Sequence, residues 1–127
     1  MQRLWNTVKT LDMGNFEVEI AWAYEDLPLS YVFETEEDIE VHQRRCEDYT
    51  DTHYVARVRA LYDGKEMGSD YLGSCYAYGR DPAQDIEQGL DGYLEQMIDT
   101  ALSEATSEAV AMLGRLKKDF LGVDTAQ

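Results

Sequence analysis

The chain has 127 residues, 26 acidic against 11 basic, for a formal net charge of −15, while 44% of its residues are apolar. Three Phe, two Trp and nine Tyr can fill the core of one ordinary domain, which excludes a disordered acidic tail, since such segments are poor in aromatic residues. No apolar run approaches the roughly 20 residues that cross a bilayer, the amino terminus lacks a signal-peptide apolar region, and an acidic surface is repelled by anionic lipid, so the expectation is a cytoplasmic protein without membrane association.

The first predicted elements form a hairpin. Residues 4–11 are apolar and partly β-branched, and Asp12-Met13-Gly14-Asn15 tolerates turn geometry. In 16–22, Phe16, Val18, Ile20 and Trp22 share one face and Glu17, Glu19 and Ala21 the other, the alternation of a half-buried strand. Beyond Pro28, Thr35 followed three positions later by Asp38 resembles a capping box, so a short helix is expected from Glu36 to about Arg45. Its acidic first turn and its Arg44-Arg45 last turn complement the helix dipole.

A second hairpin follows. Residues 52–62 place Tyr54, Ala56, Val58, Ala60 and Tyr62 opposite Val55, Arg57, Arg59 and Leu61; residues 63–68 read as a turn and 69–78 as the returning strand. Asp81-Pro82 then starts a helix, with Asp at the N-cap and Pro at the first helical position. Ile86, Leu90, Leu94, Met97, Ile98, Ala101, Leu102, Ala105, Ala109, Met112, Leu113, Leu116 and Phe120 keep helical spacing almost to the end. Gly89 and Gly92 weaken the first third, so either a break or a loose start is expected there; Gly122 and the residues after it read as a frayed end. Without repeats or linkers, the expectation is a single α+β domain over 1–127: an antiparallel sheet of three to four strands in two hairpins, a short helix, and a long C-terminal helix on one face. The other face must be polar or covered by a partner.

The charge is concentrated. Between Arg80 and Arg115 there is no Lys or Arg and there are eight carboxylates, and residues 17–51 hold twelve carboxylates against Arg44 and Arg45. Glu87, Asp91, Glu95 and Asp99 are spaced four apart, so they are expected close to one helical stripe, rising about 6 Å per step. Like charges at that spacing destabilise a helix by about 0.2–0.5 kcal/mol per pair, and no base at a neighbouring i±4 position relieves them. Duplex DNA carries roughly one charge per 3.4 Å on each strand, so this row, joined by Glu36, Glu37 and Asp38, would make a sparse copy of a phosphate array. These seven residues are the candidate partner-binding set. A plain solvated surface and salt tolerance are the bland accounts, and four Lys against 26 acids agree with the second.

Catalytic and metal motifs are scarce. The chain has no GxSxG, HExxH, P-loop or GxGxxG opening a helix, and Gly68, Gly73 and Gly79 suit turns, bulges or close packing. His42 and Cys46 are four apart and would need His53 and Cys75 to complete a tetrahedral site; no compact motif supports that, so no metal and no cofactor are expected. Cys46 and Cys75 have no CxxC partner and read as reduced thiols. Tyr49, Tyr54, Tyr62, Tyr71, Tyr76 and Tyr78 concentrate in the second hairpin, as half-buried sheet residues or as an interface. The expectation is a non-enzymatic protein.

The run Tyr54–Tyr78, with its glycine turn and its Tyr71-Leu72-Gly73-Ser74-Cys75 strand ahead of an amphipathic helix, resembles a pattern in small acidic proteins of bacteriophages and mobile elements. That group has no settled activity, so the resemblance implies no functional residues. It implies a context, in which small acidic proteins inhibit host defence and several look like DNA mimics that block restriction or CRISPR complexes. The expectation is therefore an inhibitor that occupies the basic groove of a nucleic-acid-binding host protein, without binding nucleic acid itself. The alternative is a small structural or assembly protein, homodimeric through its apolar helix face and Tyr-rich hairpin, whose acids serve solubility.

Overall fold

A computed structural model describes residues 3–122. Strands β1 (Asn6–Met13), β2 (Phe16–Tyr24), β3 (Thr52–Tyr62) and β4 (Lys65–Ala77) form one antiparallel sheet in the order β1-β2-β3-β4. Between the hairpins lie a 3-10 turn at Leu29–Tyr31 and helix α1 (Glu36–Glu47); after them come α2 (Pro82–Glu87), a 3-10 turn at Leu90–Gly92 and α3 (Tyr93–Leu121). The α+β architecture is the expected one, with both hairpins present and four strands in the sheet.

Turn chemistry sets the strand ends. Met13 pairs with Phe16 around Gly14, whose φ of 79° suits the first central position of a hairpin turn. The second turn is shorter than the expected 63–68 stretch. Tyr62 pairs with Lys65, and Asp63 (φ 50°) and Gly64 (φ 78°) make a two-residue turn in which both positions adopt the left-handed region that Asp-Gly favours. Strand β4 therefore begins at Lys65, four residues before the predicted start.

Alternation divides the side chains between two faces. Val18, Ile20, Tyr54, Ala56, Val58, Ala60 and Ala77 are buried on the face that receives α3, together with its Met97, Ala101 and Ala105. Gly68 permits the close approach: a Cβ there would collide with the backbone oxygen of Ala101 and lie 2.7 Å from the backbone nitrogen of Ala105. The helix thus lies directly on β4.

The opposite face is neither simply polar nor bare. Glu19 accepts from Arg57 Nη2 (2.8 Å) and from Arg59 Nε (2.8 Å), and the Arg57 guanidinium stacks 4.1 Å from the ring centroid of Trp5. Tyr76 lies across from His53 on this same face, and α1 packs against it. Helices α1 and α3 are therefore on opposite sides of the sheet.

Candidate functional site

The first acidic group is built on a capped helix. Thr35 Oγ1 accepts from Asp38 N at 3.1 Å, the cap anticipated from the sequence, and such a bond contributes about 1 kcal/mol. Glu36, Glu37 and Asp38 form the first turn of α1 and are exposed. Their charge sits at the positive end of the helix dipole, which stabilises three neighbouring acids that would otherwise only repel one another.

The position of α1 is fixed at its other end. Asp51, 2% exposed, accepts from Arg45 Nε (2.7 Å) and Nη2 (2.9 Å), from Tyr76 Oη (2.7 Å) and from Gly79 N (2.7 Å). These bonds, led by the Arg45 guanidinium, hold its carboxyl at about 2, well below the ordinary 3.8. Phe33 stacks on His42 with ring centroids 3.8 Å apart, and both rings meet Tyr76 edge-on. The sequence pattern contained no sign of this node, because Tyr76 and Gly79 lie 25 and 28 positions beyond Asp51 and only the tertiary fold brings them to it.

The second acidic group does not form the expected row. Gly89 and Gly92 both have φ of 88°, and Leu90 (φ 50°) and Asp91 (φ 56°) are left-handed between them, so α2 and α3 are separate helices meeting at an elbow. Glu95 and Asp99 share α3; Glu87 ends α2, and Asp91 lies in the elbow. Glu87 is also relieved from outside its helix, by Lys9 Nζ of edge strand β1 at 3.5 Å. Asp91 instead lines a cavity at the opposite edge, beside β4. The seven candidate residues are thus not gathered: Glu36, Glu37 and Asp38 belong to one side of the sheet, and Glu95 and Asp99 to a helix on the other.

That cavity, of about 490 Å³, is where backbone strain collects. Ser74 (φ 51°), at the β4 bulge, lines it with Leu90 and Asp91. Tyr54 Oη donates to Asp85 Oδ2 at 2.9 Å, and Arg80 Nε forms an ion pair with Asp85 Oδ1 at 2.8 Å without hydrogen-bond alignment. Burial raises the Tyr54 hydroxyl far above its usual range and pushes the Cys75 thiol up to about 11, so both are protonated at neutral pH. Cys75 lacks the electropositive surroundings that would make it a thiolate nucleophile.

The four residues weighed for metal do not converge. Cys75 is placed on the α3 side of the sheet, opposite Tyr54, whereas His42, Cys46 and His53 surround Tyr76 on the other side. Among the described residues no group of three or more His, Cys, Asp or Glu could hold a metal ion, and no helix is long and apolar enough to cross a membrane.

The distribution of bases gives these acids their character. Each of the seven arginines forms an ion pair: Arg3 with Glu25 and Asp26, Arg44 with Glu40, Arg45 with Asp51, Arg57 and Arg59 with Glu19, Arg80 with Asp85, and Arg115 with Glu108. Among the described residues, Glu36, Glu37, Asp38, Asp91, Glu95 and Asp99 form none. Compared with family models, with curated proteins and with solved structures, the chain shows no match.

Proposed function

We propose that this protein is a non-enzymatic inhibitor that binds a basic, nucleic-acid-binding host protein inside the bacterial cell through its acidic surface, in competition with the nucleic acid. The observation that carries this reading is the pairing of every arginine with a carboxylate while six of the seven candidate acids stay exposed and unpaired among the described residues. Local neutralisation leaves the net −15 to act outward, where a single-sign field steers a basic partner and excludes acidic ones. A CRISPR effector or restriction complex, whose groove is built to accept phosphates, is the partner class that fits.

The split between faces makes the two acidic groups unequal. The start of α1 is the denser, with Glu34, Glu36, Glu37, Asp38 and Glu40 inside seven residues and only Glu40 paired among the described residues. It is assigned the primary contact, and Asp91, Glu95 and Asp99 a second one on the other side.

The test is displacement of duplex DNA from such a nuclease complex, measured over a range of ionic strength. Inhibition should weaken steeply as salt rises. Lys at Glu36, Glu37 and Asp38 should remove most of it, and Lys at all seven positions should abolish it while circular dichroism stays unchanged. Inhibition that survives all seven substitutions refutes the reading.

A further inference from the structure

Helix α1 covers the sheet without packing closely on it. None of its 12 residues is fully buried, and it is held at points: by Arg45 on Asp51, by His42 on Phe33, and by Cys46 Sγ, which donates to Tyr76 Oη at 3.6 Å. Ile39, Gln43, Cys46 and Glu47, spaced so that they share one side of the helix, face a cavity of about 560 Å³. Leu27 and Leu29, from the segment that follows β2, and the sheet end at Glu25, Thr52 and His53 complete its walls. That volume lies within the range of small-molecule sites, roughly 300–1,000 Å³.

Two features of the walls decide what fits. His53 is 9% exposed, and its Nε2 is buried with no hydrogen-bond partner among the described residues, whereas buried polar atoms in folded proteins are nearly always paired. Burial holds its imidazole below the ordinary 6.5 against the pull of Glu25, so the ring is neutral at pH 7 and can offer a lone pair. The charge of the walls is of one sign: Glu25, Glu47 and Asp51 line the cavity and no Lys or Arg does. Arg3 and Arg45 answer Glu25 and Asp51 from outside the lining, which leaves Glu47 without a base among the described residues. An anion is repelled by such walls. A cationic donor can satisfy Nε2 while an apolar body attached to it covers Leu27, Leu29 and Ile39.

We infer that this cavity binds a small organic cation, a primary ammonium on a short apolar body, whose N–H donates to His53 Nε2. Glu47 at the end of α1 supplies the countercharge, and the apolar body fills the space that α1 leaves above the sheet. This inference is independent of the inhibitor reading, which rests on the exposed acids of the first turn of α1.

Calorimetric titration of the full chain, with the imidazole resonances followed by NMR, tests it. Hexylammonium and phenethylammonium should bind with dissociation constants below about 1 mM and shift the His53 ring, and hexanoate, of the same length and opposite charge, should not bind. His53→Leu removes the acceptor and should weaken binding by about tenfold or more, the loss of one charged hydrogen bond. Should that variant fail to fold, Gln43→Lys keeps the test: the position is exposed, and a tethered ammonium there should compete for the cavity and weaken binding by a similar factor. No binding of either amine, equal binding of hexanoate, or undiminished binding to folded His53→Leu or to Gln43→Lys overturns the inference. So does a blocked lysine peptide that binds where neither free amine does, since the cavity would then serve to dock a protein.

Discussion

Replacing Asp51 with Asn should detach α1, with its three leading acids, from the sheet more than any other conservative change. The native carboxyl titrates at about 2 against an ordinary 3.8, a difference worth about 2 kcal/mol at 1.36 kcal/mol per unit. The amide keeps the shape but loses the charge that draws the two Arg45 nitrogens, the Tyr76 hydroxyl and the Gly79 amide to one point. Urea unfolding at pH 7 should therefore show a loss of about 2 kcal/mol at unchanged slope. The sign of the pH dependence follows from the lowered value: the contribution is complete above the unfolded value of 3.8 and is lost as pH falls toward about 2. About half is gone by pH 3, so the wild type and Asp51→Asn should converge as the solution is acidified. A loss below about 0.5 kcal/mol at pH 7, or a gap that stays constant between pH 5 and pH 3, would show that the node is not an electrostatic anchor.

Two further substitutions probe the two sides of the sheet. Gly68→Ala introduces a Cβ into the backbone of α3 at Ala101 and Ala105, and should cost about 3 kcal/mol in urea unfolding, since backbone cannot yield as a side chain can; a neutral result would mean that α3 is not seated on β4. Glu19→Gln removes the shared partner of Arg57 and Arg59, the former only 8% exposed, and should cost about 2 kcal/mol. Because Arg59 and Arg57 hold the Glu19 carboxyl below its usual range, the wild type's advantage over Glu19→Gln should shrink as pH falls below the ordinary carboxylate value of 4.5. An advantage independent of pH would refute the ion-pair account.

What was legible in the sequence was mostly local. Period-two alternation located β2 and β3, Thr35 and Asp38 located the start of α1, and Asp81-Pro82 located α2, whose capping box is completed by Gln84. Each is decided by residues within a few positions of one another. Two glycines pointed to a break before α3, but helical spacing alone kept Glu87, Asp91, Glu95 and Asp99 on one stripe; the left-handed Leu90 and Asp91 turn the chain at the elbow. Arg57 reads as an outward residue of β3 and is instead nearly buried, because Trp5, far away in sequence, covers it. Pairing across strands was equally hidden: nothing near Glu87 in sequence announces Lys9.

The arrangement of arginines bears on why the acids are there. If acids served solubility alone, the bases would be free to scatter among them, since mixed signs solubilise while avoiding a self-repelling field. Here three of the seven arginines join segments distant in sequence, as Arg57 and Arg59 do to Glu19 and Arg3 to Glu25, and Arg45 ties the end of α1 to the buried Asp51 six positions on. A guanidinium suits that role, because its planar fork can bond two carboxylate oxygens at once, as Arg45 and Arg59 do. Arg3, Arg45, Arg57 and Arg59 hold the scaffold together, and the first turn of α1 and the exposed side of α3 as far as Glu108 are left to the acids. The self-repulsion that results falls on helices anchored elsewhere, α1 by Asp51 and α3 by its apolar face, so the fold tolerates a surface field that would disorder either helix in isolation. Such a division of labour separates the outward charge from the residues that maintain the fold, and it is why reversing the α1 acids should remove binding without unfolding the protein.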